Sequence, residues 1–159
     1  MQLIVAIDRN WGIGYQGKLL ARISADLKRF KALTTGHTVV LGHKTLETFP
    51  GGKPLPNRRN IIMSTDKSFV HPDAETCHSV AQAVALAPED AFVIGGASVY
   101  TLLLPYCDKA YVTQIDAEYT ADCYFPSLDA NRCWAVEETG DWQEENGVRF
   151  RYVTYIRRK

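Results

Sequence analysis

The stretch Ala91-Phe92-Val93-Ile94-Gly95-Gly96-Ala97-Ser98-Val99-Tyr100 carries the strongest indication of the fold. Its first four residues form a continuous apolar run of strand length, which the two glycines end. Residues 98–104 then have helical character, so the chain passes directly from a buried strand into a helix. Strands of this kind, each followed closely by a helix, are typical of a parallel sheet that is covered on both faces.

A similar alternation of strand-like and helix-like segments is found on both sides of this stretch. Further strands are predicted at residues 3–7, 38–41, 60–63 and 110–115. Helices are predicted at residues 25–33, with Ser24 as the N-cap, and at residues 44–48 and 80–86. Residues 8–23 are predicted to form a glycine-containing loop.

The C-terminal part of the sequence has a different pattern. Asn146-Gly147 is a strong signal for a tight hairpin turn, and it separates the strand-like residues 134–142 from residues 148–156. In the second of these segments apolar residues alternate with arginines, as expected for a strand with one face in the core. The sequence therefore predicts one α/β domain over residues 1–159, with a mostly parallel sheet, an antiparallel C-terminal strand pair and helices on both faces.

Composition and charge limit the classes of partner. The 159 residues include 18 Lys and Arg against 18 Asp and Glu, a formal net charge of zero that argues against a dedicated nucleic-acid binder. No segment reaches the roughly 20 apolar residues needed to cross a bilayer, so we expect no membrane partner. The cysteines (Cys77, Cys107, Cys123 and Cys133) form neither a CxxC pair nor a metal-binding pattern. We therefore expect a cytoplasmic protein with reduced cysteines and no metal site.

The segment Gly12-Ile13-Gly14-Tyr15-Gln16-Gly17 matches the G-x-G-x-x-G pattern of dinucleotide-binding turns. Its context does not fit that motif, because Asp8-Arg9-Asn10-Trp11 separates it from the preceding strand and Ser24 lies well beyond it. The acidic residue expected at the end of the second strand is also missing, and Gly42-His43-Lys44-Thr45 stands there. A mobile glycine-rich loop is therefore the preferred interpretation, and an NAD-linked Rossmann dehydrogenase is disfavoured.

Three segments that follow predicted strands are candidates for binding phosphate. Gly42-His43-Lys44-Thr45 and Ser64-Thr65-Asp66-Lys67 place basic and hydroxyl groups where α/β proteins bind ligands. These groups could hold the ribose 2′-phosphate of NADP, and equally they could be solvated loop residues with ordinary capping roles. The Gly95-Gly96 turn allows close backbone approach to a pyrophosphate at the start of the next helix, although glycines also make plain tight turns.

Asp26 and Arg58 are the candidates for direct contact with a substrate. At helical spacing Asp26, Phe30 and Leu33 share one face, so the carboxylate borders an apolar stripe. An acid in the first helical turn often only complements the helix dipole, whereas a functional role requires an apolar surround that raises its pKa. Arg58 follows the rigid segment Pro54-Leu55-Pro56-Asn57 and can present its planar fork to a carboxylate, or remain an ordinary surface arginine.

Nine segments, in order, resemble the dihydrofolate reductase family of the common bacterial chromosomal type over essentially the whole chain. They are Leu3-Ile4-Val5-Ala6, Ile13-Gly14, Gly17-Lys18-Leu19, Asp26-Leu27-Lys28-Arg29-Phe30-Lys31, Val40-Leu41-Gly42-His43-Lys44-Thr45, Pro54-Leu55-Pro56-Asn57-Arg58-Arg59-Asn60, Ile94-Gly95-Gly96-Ala97-Ser98-Val99-Tyr100, Thr113-Gln114-Ile115-Asp116-Ala117-Glu118 and Asp122-Cys123-Tyr124-Phe125-Pro126. Each segment alone is weak evidence, whereas nine in the right order are strong.

The resemblance implies NADPH-dependent reduction of 7,8-dihydrofolate to 5,6,7,8-tetrahydrofolate on an eight-stranded sheet, and we expect a monomer. By position, Asp26 would bind the N3 and 2-amino edge of the pterin and promote protonation at N5, with Thr113 in the same hydrogen-bond network. The other residues implied to contact the substrate are Ile4, Val5, Ala6, Leu27, Phe30, Lys31, Phe49, Leu55, Arg58, Ile94 and Tyr100. Of these, Arg58 would hold the α-carboxylate of the glutamate tail.

The resemblance also implies a set of residues that bind NADPH. They are Ala6, Ile13, Leu19, Gly42, His43, Lys44, Thr45, Met63, Ser64, Thr65, His78, Gly95, Gly96, Ala97, Ser98, Val99 and Tyr100. Within this set, His43, Lys44, Ser64 and Thr65 would surround the 2′-phosphate, and the turn from Gly95 to Val99 would hold the pyrophosphate. A cis peptide between Gly95 and Gly96 and a mobile lid over residues 10–22 are implied as well.

Two departures from the family pattern leave alternatives open. Leu20-Ala21 replaces the usual Pro-Trp in the lid, which leaves more room beside the pterin, and His43 replaces the usual arginine. One alternative is a reductase of the same fold that acts on another pterin or a pyrimidine. The other is an inactive paralogue that binds NADPH or folate without turnover.

Overall fold

The computed structural model describes residues 1–158, and Lys159, the last residue of the predicted domain, lies outside the described residues. The strands are β1 (Gln2–Ile7), β2 (Gly12–Gly14), β3 (Thr38–Gly42), β4 (Arg59–Met63), β5 (Glu75–Cys77), β6 (Phe92–Gly95), β7 (Lys109–Ile115), β8 (Cys123–Tyr124), β9 (Trp134–Thr139), β10 (Gln143–Glu145) and β11 (Val148–Arg157). The helices are α1 (Ser24–Thr34), α2 (His43–Glu47), α3 (Val80–Leu86) and α4 (Ala97–Leu103), with 3₁₀ turns at Pro50–Gly52 and Leu104–Tyr106. None of these helices is both long enough and apolar enough to span a membrane.

One central sheet contains all the strands except β2 and β8, in the order β10-β11-β7-β1-β6-β3-β4-β5. In this spatial order, each strand from β7 through β1, β6, β3 and β4 to β5 pairs in parallel with the next, whereas β11 is antiparallel to β7. β9 and β10 both pair with β11, β10 with its first residues and β9 with its last, so they share one position at the sheet edge. The sheet therefore has eight strand positions, which confirms the predicted mostly parallel α/β sheet with an antiparallel C-terminal part.

The two faces of the sheet build separate core clusters, because successive side chains of a strand point to opposite sides. On β1, the side chains of Leu3, Val5 and Ile7 join the cluster that contains residues of α3 and α4. Ile4 points to the other face and packs in the cluster with residues of α1 and α2. Both faces are thus covered by helices, and strands buried on both sides need the continuous apolar runs seen in the sequence.

The prediction that Ser24 caps α1 with its own side chain is wrong. Ser24 is the first helical residue, and Ile23 at the cap position has no side-chain acceptor. The acceptor comes instead from Glu145 of β10, whose carboxylate accepts hydrogen bonds from the backbone N of Ser24 at 2.6 Å and of Ala25 at 3.0 Å. These hydrogen bonds lower the pKa of Glu145. The start of α1 is therefore anchored to a strand far away in the sequence.

Four short strands, β2, β5, β8 and β10, were not predicted. β2 lies inside the predicted loop of residues 8–23 and pairs with β8, and β5 extends the sheet beside β4. The predicted strand 134–142 forms as the shorter β9, which ends at Thr139, and β10 lies beyond the predicted bounds; the turn that follows is as predicted, since Asn146 and Gly147 have positive φ of 52° and 79°. Strands of two or three residues are too short to carry a periodic pattern, which is why the sequence did not reveal them.

Candidate active site

A hydrogen-bonded pair of polar side chains, Asp26 and Thr113, lies between α1 and the sheet. The Thr113 hydroxyl donates to Asp26 Oδ1 at 2.6 Å, and Thr113 itself is buried opposite Ala6 of β1. Burial raises the pKa of Asp26, while the Thr113 hydrogen bond and the charge of Arg29 partly offset this rise. Asp26 is therefore a carboxyl group with one oxygen held in place and with a greater tendency to carry a proton than an ordinary aspartate.

Most of the apolar residues that were predicted to contact substrate lie on the sheet face covered by α1 and α2. One cluster on this face includes Ile4, Phe30, Phe49, Leu55 and Ile94. Ala6 packs in the adjoining cluster together with Ala21 of the lid, and Leu27 is half-buried on α1. The side chain of Val5, in contrast, belongs to the core on the opposite face, so it does not join this group.

Tyr100 packs on the opposite face of the sheet and supports the same region from there. This buried residue of α4 donates a hydrogen bond from its hydroxyl to the backbone O of Ile4 at 2.6 Å. Burial raises the pKa of Tyr100, so the hydroxyl keeps its proton and remains a donor. It ties α4 to β1 next to the Asp26 side of the sheet.

Arg58 is held in a defined orientation at the C-terminal end of α1. Its Nε donates to Thr34 Oγ1 at 2.9 Å, its Nη1 to the backbone O of Pro56 at 3.1 Å and its Nη2 to Thr35 Oγ1 at 3.3 Å. The guanidinium carbon lies 5.9 Å from the centre of the Phe30 ring. Burial lowers the pKa of Arg58, though the group remains a cation at any physiological pH. Lys31, predicted to act nearby, is exposed on the same helix.

The glycines after β3 and β6 allow two turns to approach each other closely. A Cβ atom on Gly42 would lie 3.1 Å from Val99 Cγ2, and one on Gly96 would lie 3.1 Å from Thr45 Oγ1. Gly95 has a φ of 127°, and the peptide bond between Gly95 and Gly96 is cis, as the family resemblance implied. The start of α2 and the start of α4, with Ala97, Ser98 and Val99, therefore line one shared surface at the carboxyl edge of the sheet.

The segments after β3, β4 and β5 bring two histidines to one serine. His43 Nδ1 is 2.9 Å from Ser64 Oγ, and His78 Nδ1 is 2.9 Å from the backbone O of Ser64. The His43 ring also stacks on Phe69, with ring centres 3.7 Å apart. The predicted phosphate-binding residues His43, Ser64 and His78 are thus in direct contact.

Three further residues of the predicted NADPH-binding set are neighbours of His43 and Ser64 in the chain. Lys44 and Thr65 are exposed, and Met63 is the last residue of β4. The carboxylate of Glu47 lies 3.4 Å from His43 Nε2, one helical turn along α2. His43 consequently has a carboxylate partner that an incoming phosphate group would have to replace or share.

The predicted lid is anchored at its base by a carboxylate that sequence reasoning missed. Asp8, which is 2% exposed, accepts hydrogen bonds at Oδ1 from the backbone N of Asn10 and of Gly12 and at Oδ2 from the backbone N of Tyr119. These bonds join the first residues of the lid to the segment between β7 and β8. A buried acid directly after β1 was visible in the sequence, but its partner at Tyr119 was not.

The tip of the lid is also tied to the segment before β8. The backbone N of Gln16 donates to Asp122 Oδ2 at 2.9 Å, and β2 pairs with β8. Ile13 packs against the core, whereas Leu19 is 61% exposed. Leu20 and Ala21 are half-buried, so in this position the lid lies against the sheet edge.

Comparison with known proteins gives a consistent result. The family model described as dihydrofolate reductase matches residues 1–157. A dihydrofolate reductase of Staphylococcus haemolyticus is 38% identical over 154 residues, covering 94% of this chain and 86% of that protein. The dihydrofolate reductase of Bacillus subtilis is 36% identical over 158 residues, covering 98% of this chain and 93% of that protein.

A solved structure agrees with these sequence relatives. The dihydrofolate reductase from Enterococcus faecalis, complexed with NADP(H) and RAB-propyl, superposes with a TM-score of 0.86 at 34% identity and covers 99% of this chain and 96% of that one. With the fold, the glycine turns and the full-length matches taken together, the chain belongs to the dihydrofolate reductase family.

Proposed function

We propose that this protein reduces 7,8-dihydrofolate to 5,6,7,8-tetrahydrofolate with NADPH, a reaction that supports one-carbon metabolism. The observation that carries the proposal is the hydrogen-bonded pair of Asp26 and Thr113 beside an apolar surface. A carboxyl group in such a place suits a heterocycle that offers a ring N–H and an amino group side by side, because both can donate to one carboxylate.

Asp26 has two roles in this proposal. Its free oxygen and the remaining lone pair of Oδ1 bind the N3 and 2-amino edge of the pterin, while Thr113 fixes the plane of the carboxyl group. Since burial raises its pKa, Asp26 also promotes protonation of the substrate at N5 at neutral pH. NADPH, when bound, supplies the hydride that is added to C6.

Arg58 binds the α-carboxylate of the substrate's glutamate tail. A guanidinium group has five N–H donors, and within residues 1–158 three of those of Arg58 are used, one on each nitrogen. One N–H therefore remains on each of the two Nη atoms, and a parallel pair of this kind matches the two oxygens of a carboxylate. Lys31, on the same side of α1, adds positive charge near the tail, and Leu55 packs against the apolar part of the substrate.

The residues at the carboxyl edge of the sheet fit NADPH. A Cβ atom at Gly42 or Gly96 would be in tight contact with Val99 or Thr45, and the lack of Cβ atoms lets a pyrophosphate approach the backbone. His43, Lys44, Ser64, Thr65 and His78 offer imidazole, ammonium and hydroxyl groups for the 2′-phosphate. Ile13 and Leu19 of the lid, with Ala6 and Met63, cover the cofactor and exclude water from it.

The experiment that tests the function follows NADPH oxidation with dihydrofolate in the parent protein, in Asp26→Asn and in Asp73→Asn. We expect activity in the parent and in the control, whose Asp73 side chain is exposed. Asp26→Asn should lose most activity at neutral pH and recover part of it in acid, where the substrate itself arrives protonated.

Two other outcomes would overturn the proposal. A parent that binds NADPH without turnover would support the inactive paralogue that Leu20-Ala21 suggests. Turnover of pterins without a glutamate tail at the same KM as dihydrofolate would support a different substrate, because Arg58 would then contribute nothing.

We also propose that the chain acts as a single-domain monomer in the cytoplasm. The single domain is supported by the central sheet, which includes strands from both ends of the described chain. The cytoplasmic location is supported by the cysteines, since all four are free thiols. Sedimentation at working concentration would test the oligomeric state.

A further inference from the structure

Arg29 is a charged side chain for which neither the fold nor the proposed contacts with substrate account. Its Nη1 is buried and has no hydrogen-bond partner within residues 1–158. Its guanidinium carbon lies 3.9 Å from the centre of the Tyr152 ring and 5.8 Å from that of Tyr111. Arg29 as a whole is half-buried, and a buried N–H group without an acceptor is costly, so the position of this Nη1 needs a reason.

The position of Arg29 relative to the catalytic pair supplies one. Arg29 is one helical turn after Asp26 on α1, so the two side chains are neighbours on the same face. Tyr152 of β11 is directly opposite Thr113 of β7, and Tyr111 is two residues before Thr113 on the same side of that strand. The stacked guanidinium and the Asp26–Thr113 pair therefore share one face of the sheet.

We propose that Arg29 is a positioning residue for Asp26, held by stacking on Tyr152, which places a permanent positive charge beside the catalytic carboxylate. The inference rests on the proposed function, because it assigns a role to a residue that acts on Asp26. Arg29 does not itself contact the substrate.

The stacking arrangement suits this task better than a salt bridge would. A direct ion pair between Arg29 and Asp26 would occupy the oxygens that the pterin edge needs. An aromatic face instead stabilises the cation through its π electrons and leaves those oxygens free. Because the region is partly buried, a charge one helical turn from Asp26 acts more strongly on it than it would in water.

Other charged and titratable groups lie around Asp26 on neighbouring elements of the fold. From β10, Glu145 binds the start of α1 and has Lys28 as a neighbouring positive charge. From α4 and β11, the hydroxyls of Tyr100 and Tyr152 have raised pKa values, mainly because of burial, so both stay neutral. Among residues 1–158, Arg29 is the cation whose charge acts on the pKa of Asp26, which it lowers.

The test measures the titration of Asp26 without turnover. The protein is labelled with carboxyl-¹³C aspartate, the Asp26 signal is assigned by its loss in Asp26→Asn, and its shift is followed against pH in the ligand-free parent, Arg29→Met and Arg29→Lys. We expect the midpoint to move to higher pH in Arg29→Met, because removal of the cation favours the protonated acid. Arg29→Lys should restore part of the shift, since lysine keeps the charge and loses the planar stack.

An unchanged midpoint in Arg29→Met, or the same shift in Arg29→Met and Arg29→Lys, would overturn the proposal. Should Arg29→Met fail to fold, Tyr152→Leu provides the second variant. It removes the aromatic face on which the guanidinium stacks, so the cation is no longer held beside Asp26. The titration midpoint of Asp26 should then move to higher pH as well. Since the ligand-free protein is observed, failure of the proposed function would appear in the activity assay alone and leave this titration intact.

Discussion

The loop that carries Arg58 is held by one buried amide, and Asn60→Ala tests how much that amide contributes. Asn60 is 4% exposed. Its Oδ1 accepts a hydrogen bond from the backbone N of Leu55 at 3.1 Å, and its Nδ2 donates to the backbone O of Leu55 at 2.9 Å and of Arg58 at 3.0 Å. Alanine would remove all three hydrogen bonds and leave the backbone N and O of Leu55 and the backbone O of Arg58 without these partners.

The expected loss of stability follows from that count. At about 1 kcal/mol net for each hydrogen bond, Asn60→Ala should lower the free energy of unfolding by about 3 kcal/mol. In a protein of this size such a loss corresponds to a decrease in Tm of about 6–12 °C. The loop would also orient Arg58 less well, so the KM for dihydrofolate should rise while the affinity for NADPH stays the same.

Equilibrium urea unfolding, followed by circular dichroism, measures the first effect, and initial rates measure the second. Asn131→Ala is the matched control, because the Asn131 side chain accepts a single hydrogen bond, from the backbone N of Cys133, at a site far along the chain from this loop. We expect about 1 kcal/mol for the control and no change in KM. Two results would contradict this prediction. One is a loss of unfolding free energy in Asn60→Ala no greater than in the control, and the other is a weakening of NADPH binding equal to that of dihydrofolate.

Three further predictions concern the site itself. Arg58→Ala should raise the KM for dihydrofolate by about 10- to 100-fold, the range expected from losing hydrogen bonds to a charged group, and leave the NADPH Kd unchanged; equal losses for both ligands would exclude the tail assignment. Lys44→Ala should narrow the preference for NADPH over NADH in kcat/KM, and an unaltered ratio would remove Lys44 from the 2′-phosphate site. Asp26→Asn should increase the free energy of unfolding at neutral pH, because burial raises the pKa of Asp26 in the folded state and ionisation therefore destabilises that state. The gain in the free energy of unfolding should be fully present above the folded-state pKa and vanish as the pH falls below the unfolded-state pKa. Urea unfolding at several pH values measures this gain, and a loss of stability at neutral pH would contradict the prediction.

Local patterns in the sequence were sufficient for the main elements of the fold. Continuous apolar runs predicted the strands of the parallel sheet other than the short β5, since strands covered on both faces need apolar side chains at every position. Asn146-Gly147 predicted the turn before β11, because both residues tolerate the positive φ that such a turn requires. Helical spacing likewise placed Asp26 next to the apolar face of α1, and Phe30 and Leu33 pack on that face as expected. Each of these inferences depends on residues that are neighbours in the chain.

The arrangement around Asp26 was decided by the tertiary structure. Thr113, which donates to Asp26, is 87 residues away in the sequence, and Glu145, which caps α1 in place of Ser24, is 121 residues from that helix start. Arg29 lies within one turn of Asp26, yet its effect depends on Tyr152, which only the pairing of β11 with β7 brings beside it. Chain connectivity determines local geometry, whereas these contacts arise from the packing of α1 on the sheet. The sequence by itself therefore determined the main helices and strands and which acid borders an apolar face, and the fold decided the short strands, what holds that acid and what sets its protonation.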